Sequence, residues 1–340
     1  MAHPRRWVLV SLGAALFAAL ALAAASDRPA ERSFHFTYTA ALNDIPEGAK
    51  KVAVWLPYPG SDAHQEISHI SVRCPYPTRV TKDPEYGNTT LYVEVDHPAK
   101  PSFEIDVSFD VTRREYVRRD FDKAGKSGPS AKEVPSRYLA ADRLVPLNER
   151  IHGLASEITA GKTSDLEKAR AIYDYVVANM RYDKSGTGWG NGDILWACDA
   201  KRGNCTDFHA LFIGLCRAVG IPARFSIGFP LPEKRGEGEI PGYHCWAEFF
   251  LSGYGWVPVD ASEAAKRPDK KEYFFGAHDE NRVQLSTGRD IVLDPREAGP
   301  PLNYFVYPYA EVDGAPFKEI GRKFTFQDRA AVKAAAESRS

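Results

Sequence analysis

The sequence predicts an α+β fold in two parts: a small β-sandwich, then a mixed domain in which a helix packs on an antiparallel sheet. Two observations predict it. Between residues 33 and 116, alternating β-prone runs are separated by Pro, Gly and Asn clusters. Further along, apolar residues recur at helical spacing, and two strand-like runs follow, joined around Ser252-Gly253-Tyr254. A chain of 340 residues is long enough for two ordinary domains and a large core.

The N-terminus is not part of that fold. Arg5 and Arg6 precede an apolar run from Trp7 to Ala24, and Ala23-Ala24-Ala25 fits a small-x-small cleavage pattern. Residues 1–25 therefore read as a secretory signal peptide, and the mature chain is expected in the periplasm or beyond. The competing reading is an uncleaved anchor, because the run approaches spanning length; no later stretch could span a membrane. Strands are predicted at 34–38, 51–56, 89–95 and 103–109. The charged, Gly/Ser/Pro-containing stretch 117–135 reads as a linker, and 136–325 as the second domain. Ser164-Asp165-Leu166-Glu167 resembles a helix cap, with Ala169, Ile172, Tyr173, Val176 and Val177 behind it at helical spacing. Residues 185–193 are Gly-rich and must loop, and 326–340 form a charged, Ala-rich tail.

Composition excludes some classes of function. The net charge of -1 offers nucleic acid or an anionic membrane no electrostatic purchase. Five cysteines is an odd number for an exported chain, so at least one is free. Cys205 is the best candidate for that free thiol; Cys74, Cys198, Cys216 and Cys245 could pair. No alternating Asp/Asn loop suggests calcium. The spacings of Cys198, Cys205, His209 and His244 match no standard zinc site, so no cofactor is expected.

Residues 206–219 carry an apolar stripe of Phe208, Leu211, Phe212, Leu215, Cys216 and Val219, which Gly220-Ile221-Pro222 ends. Cys205 thus opens a helix. Unpaired N–H groups and the positive end of the helix dipole favour a thiolate there. The same N–H groups can receive an oxyanion. Cys216, further along the stripe, reads as core.

The runs 243–251 and 255–260 read as paired strands. If Ser252-Gly253-Tyr254 is the connection, Leu251 opposes Gly255 and Trp246 opposes Asp260. His244 is then diagonal to Asp260 on one face, and Cys245 points to the core side. A two-residue turn would put Asp260 on the wrong face. A thiol, an imidazole and a carboxylate are the parts of nucleophilic acyl chemistry.

Three blocks in order now resemble the transglutaminase-like superfamily, whose fold is papain-like: Arg202-Gly203-Asn204-Cys205-Thr206-Asp207-Phe208, then Tyr243-His244-Cys245-Trp246-Ala247-Glu248, then Gly255-Trp256-Val257-Pro258-Val259-Asp260. Cys216-Arg217-Ala218-Val219-Gly220-Ile221-Pro222-Ala223-Arg224 extends the likeness, which spans roughly 140–263. Cys245 departs from it, since alanine is usual there. The resemblance implies Cys205 as nucleophile, His244 as acid and base, and Asp260 as the group that orients the ring. It also implies an upstream indole as oxyanion donor, for which Trp189 is the candidate and Trp196 the competitor. The implied substrate is a protein, peptide or other amide, with hydrolysis favoured over transfer to an amine. The competing reading is a catalytically idle relative that binds an envelope protein or polymer. Residues 229–242 could border the cleft or simply connect elements.

Overall fold

The computed structural model describes residues 29–123 and 128–329. The predicted signal segment and residues 330–340 of the predicted tail lie outside the described residues. Alternation organises the first strand, β1 (Glu31–Leu42), where Phe34, Phe36, Tyr38, Ala40 and Leu42 are buried and the residues between them are not. A side-chain period of two directs that set to one core face. Then come β2 (Lys51–Pro57), β3 (Gln65–Arg73), β4 (Thr78–Lys82), β5 (Thr89–Asp96), β6 (Phe103–Arg114) and β7 (Tyr116–Val117). Each predicted run lies inside a strand. The strands without a predicted run are β3, β4 and the two-residue β7; β3 and β4 are mostly exposed.

The second domain contributes α1 (Glu149–Ile158), α2 (Asp165–Asn179), β8 (Arg181–Tyr182), α3 (Ile194–Ala200), β9 (Arg202–Gly203), α4 (Cys205–Ala218) and β10 (Ala223–Pro230). It continues with β11 (Glu237–Glu239), β12 (His244–Leu251), β13 (Gly255–Val259), α5 (Ala261–Lys266), β14 (Ala277–His278) and β15 (Arg282–Thr287). Ser164 and Glu167 close a reciprocal capping box on α2, as their spacing implies. The antiparallel sheet β13-β12-β10-β15 carries α4 on one face, where Phe212 meets Phe249 at 6.2 Å.

The chain then returns to the sandwich. Strands β16 (Tyr309–Val312), β17 (Ala315–Phe317) and β18 (Ile320–Asp328) join its two five-stranded sheets, ordered β11-β18-β1-β6-β3 and β17-β16-β2-β5-β4. Pairing of β18 with β1 runs from Phe34↔Asp328 to Leu42↔Ile320. The predicted boundaries are corrected accordingly: 309–328 belong to the first domain, not to the second domain or a tail. The physical reason is long-range pairing, which no local pattern announces. Arg32, buried, locks the closure by forking onto Asp328, with Nε donating to Oδ1 at 2.7 Å and Nη2 to Oδ2 at 2.8 Å.

Two connections also prove more structured than expected. Within 229–242, β11 adds to the edge of β18, so this segment is stitched to the sandwich. The predicted linker is strapped to the second domain: β7 pairs with β14, Gly128 N–H donates to Gly253 O at 3.0 Å, and Gly253 N–H to Pro129 O at 2.8 Å. One connected apolar core runs through both domains. At their junction Phe229 packs on Phe36 at 5.5 Å and on Phe324 at 4.2 Å. Among the described residues, no helix is long and apolar enough to cross a membrane.

Candidate active site

The helix α4 begins where the sequence places its start. Asn204 is the N-cap, its side chain accepting from Thr206 N–H at 2.9 Å, while Asp207 reaches back to Asn204 N–H at 2.9 Å. This capping box sets Cys205 at the first helical position. Among the described residues no acceptor takes the Cys205 backbone N–H. Gly203 is required just before it. Its φ is +148°, and a Cβ there would sit 2.2 Å from Asp207 Oδ2.

The strand register is the one a three-residue connection demands: Leu251↔Gly255 through Ala247↔Val259. The next pair would be Trp246 and Asp260, but the chain leaves the ladder there and Asp260 caps α5 instead. Its carboxylate is fully buried and collects four donors. Oδ2 accepts from His244 Nε2 at 2.8 Å and Arg282 Nη1 at 3.2 Å; Oδ1 accepts from Ser262 Oγ at 3.1 Å and Glu263 N–H at 3.0 Å. With Nε2 engaged, Nδ1 is the ring nitrogen left for Cys205. The thiol and the imidazole do interact, so the structure brings Cys205, His244 and Asp260 together.

Electrostatics follow from this arrangement. Burial alone would raise the Cys205 thiol, but hydrogen bonds from Cys245 and His244 and the charge on His244 pull it well below its ordinary range. Burial would lower His244; the Asp260 carboxylate outweighs it and raises the ring from 6.5 to about 10. Asp260 is itself held well below the usual carboxylate range, against burial, by His244 and Arg282. The consistent state near neutrality is a thiolate–imidazolium pair backed by a carboxylate. Cys216 is the contrast within the same helix: fully buried with no such partner, it is pushed well up.

Several residues that sequence reasoning gave no role complete the site. Cys245 lies on the helix side of β12, as alternation requires, yet it adjoins the nucleophile. Its sulfur is 3.8 Å from Thr206 Oγ1 and 3.7 Å from His209 Nδ1, and it is close enough to Cys205 to shift that thiol's pKa. None of the five cysteines is paired. His209 sits four residues after Cys205, on the same helix face. Burial lowers it to about 4, so it is neutral, and its Nε2 accepts from Ala261 N–H at 3.2 Å. The i, i+4 spacing was the signal available for it. Asp207 is also wholly buried and accepts from Gly190 N–H at 2.7 Å and Gly192 N–H at 3.0 Å. It thereby ties the Gly-rich loop to the start of α4, and the Asn204–Asp207 capping spacing was the signal available for it.

Trp189 sits in that loop, but its indole N–H donates to Gly186 O at 3.1 Å, within its own turn. Its one indole donor is thus spent within the loop, and Trp196 stacks under Arg202 at 5.6 Å. The polar side chain that does approach the thiol from this side is Tyr243. Its hydroxyl is 2.9 Å from both Asn204 Nδ2 and Thr206 Oγ1. Proximity to Cys205, after burial, raises its phenol.

Residues 152–261, which hold all three reactive groups, match the model of the transglutaminase-like superfamily. The chain belongs to that superfamily. It is 30% identical over 330 residues to an uncharacterized protein of Haemophilus influenzae, covering 85% of this chain and 88% of that one. The uncharacterized protein YebA of Bacillus subtilis is 25% identical over 146 residues, 39% of this chain and 20% of that one. A solved Cytophaga hutchinsonii structure, described as a candidate cysteine protease, superposes with a TM-score of 0.55 at 17% identity, covering 88% of this chain and 99% of that one. That likeness supports the papain-like fold.

Proposed function

We propose that the protein is an exported thiol enzyme that cleaves amide or peptide bonds through Cys205, His244 and Asp260, with a thioester intermediate. One observation carries this reading: a thiol lowered by an imidazolium that a fully buried carboxylate holds at 2.8 Å. The thiolate attacks the amide carbon, forming the C–S bond. The developing oxyanion is received by the Cys205 backbone N–H at the start of α4. His244 Nδ1–H then protonates the leaving nitrogen as the C–N bond breaks. Water, deprotonated by His244, resolves the thioester and returns the free thiol. Hydrolysis is favoured over transfer to an amine, because water is always present and no second-substrate site is assigned. Asp260 holds the ring by Nε2 and stabilises its charge. The description of the Cytophaga hutchinsonii relative as a candidate protease agrees with this chemistry. Trp189 could serve the oxyanion only after releasing Gly186, so the backbone donor carries that role here. Export rests on the N-terminal segment alone.

The test is intact-protein mass spectrometry after incubation with amide-reactive acyl probes, with and without an amine donor. An adduct at Cys205, absent in Cys205→Ala, is expected, and the products separate hydrolysis from transfer. A folded, reduced protein that takes no acyl group at Cys205 would overturn the proposal in favour of a binding protein.

A further inference from the structure

On the face of β12 that carries His244, the side of the sheet away from α4, a cavity of about 360 Å³ lies between the sandwich and the second domain. Its walls come from both, and its chemistry is unusual. Arg113, on β6, is 2% exposed, yet its Nε and Nη1 have no hydrogen-bond partner among the described residues. The nearest carboxylate is Asp62 at the rim, 3.9 Å from Nη1 and too far to bond it. Glu248, on β12, is 4% exposed; Oε2 accepts from Arg224 Nε at 2.6 Å, but Oε1 is unpartnered. Tyr116, Trp246 and Trp256 supply aromatic walls. Arg224 already balances the charge of Glu248, but buried N–H groups on Arg113 and a buried oxygen on Glu248 that nothing meets are costly. Burial does lower Arg113, to about 10, which still leaves it a cation at neutral pH.

We propose that this cavity is a binding site for a small zwitterion, of the class of a free amino acid or short peptide. A carboxylate satisfies the Arg113 guanidinium in the planar geometry that arginine favours. An ammonium satisfies Glu248 Oε1 and lies against the aromatic faces. A simple anion meets only the first requirement and a simple amine only the second, so the pairing itself selects a molecule with both groups. The volume is within the range of small-ligand sites. The site is separate from the thiol and does not depend on thiol chemistry. It does share a wall with it: Trp246 lines the cavity and lies 6.0 Å, ring to ring, from His244. Arg282 stacks on the same indole at 4.9 Å while bonding Asp260.

Isothermal titration of the mature chain with L-alanine, L-alanyl-L-alanine, acetate and ethylamine tests the proposal. At least one zwitterion should bind with a Kd below about 1 mM, and acetate and ethylamine at least about tenfold more weakly. Arg113→Met and Glu248→Gln should each weaken zwitterion binding about tenfold or more, a loss of roughly 1.4 kcal/mol. Arg113→Met should not lower the melting temperature, since it removes a buried cation whose only ion pair among the described residues is with the exposed Asp62 at 3.9 Å. Should it fail to fold, Arg113→Lys, which keeps the charge but loses the planar fork, should show the same weakening. Absence of zwitterion binding at about 10 mM, acetate binding as tightly as alanine, or full binding by the folded Arg113 and Glu248 variants would overturn the assignment.

Discussion

Asp260→Asn isolates the part of the site that is purely electrostatic. Asparagine fills the same volume and can still meet Nε2 of His244, but the negative charge is gone. The imidazole's climb from 6.5 to about 10 corresponds to roughly 5 kcal/mol in favour of the charged ring. The Asp260 carboxylate is the larger contributor and the Cys205 thiolate the smaller, so removing the charge should cost the ion pair at least about 2 kcal/mol, or about 30-fold in its equilibrium constant. Arg282 loses one of its two carboxylates and keeps Asp279 at 3.4 Å, so the variant is expected to fold. The assay is the second-order rate of Cys205 alkylation by iodoacetamide, followed from about pH 4 to pH 11. In the parent protein the rate rises as the depressed thiol ionises, holds a plateau, and changes again as His244 deprotonates near 10. In Asp260→Asn the alkaline limb should move toward neutrality by about 1.5 pH units, shortening the plateau. A variant whose profile overlays the parent's would refute the argument that the carboxylate holds the ion pair.

Cys245→Ala removes a thiol donor from the Cys205 thiolate. A hydrogen bond to a charged group contributes about 1.5–3 kcal/mol, so the Cys205 pKa, read by thiolate absorbance, should rise by one to two; no rise would mean that Cys245 only packs. Asp207→Ala strands the N–H groups of Gly190, Gly192 and Asn204. Urea unfolding should show a loss of about 3–5 kcal/mol, and a loss under about 1 kcal/mol would deny Asp207 its anchoring role. Asp328→Ala leaves Arg32, whose side chain is 0% exposed, without its counter-charge. It should cost about 3–5 kcal/mol, whereas a frayed tail at that position would cost nothing measurable.

Stability should also fall in acid for an identifiable reason. His209 has its pKa depressed from 6.5 to about 4 in the folded chain, so the unfolded chain takes up its proton first. The contribution is whole above 6.5 and is lost progressively as pH falls to about 4, amounting to roughly 3 kcal/mol. His244 has the opposite sign: raised to about 10, it contributes fully below 6.5 and loses its contribution as pH rises through 10. Urea midpoints across pH 4–7 should show the acid slope in the parent and a shallower one in His209→Gln; equal slopes would assign the acid loss elsewhere.

What the sequence by itself determined was local. The stripe behind Cys205, the Ser164–Glu167 cap and the period-two runs of the sandwich are short-range patterns, and each produced its element. The connection at 252–254 determined the β12–β13 register, because a shift of one residue would have turned Asp260 to the other face. Tertiary structure decided what depends on distant pairing. The β18 strand, whose residues pair with β1 partners from 278 positions away (Leu42↔Ile320) to 294 positions away (Phe34↔Asp328), closes the sandwich through main-chain bonds that carry no sequence signature. Cys245 and Cys205 lie 40 positions apart, as their numbers show, and only the packing of α4 on β12 makes one thiol a neighbour of the other. Arg113 and Glu248 face a common cavity for the same reason: burial belongs to surfaces that meet, and a chain read in order contains no record of which surfaces those are.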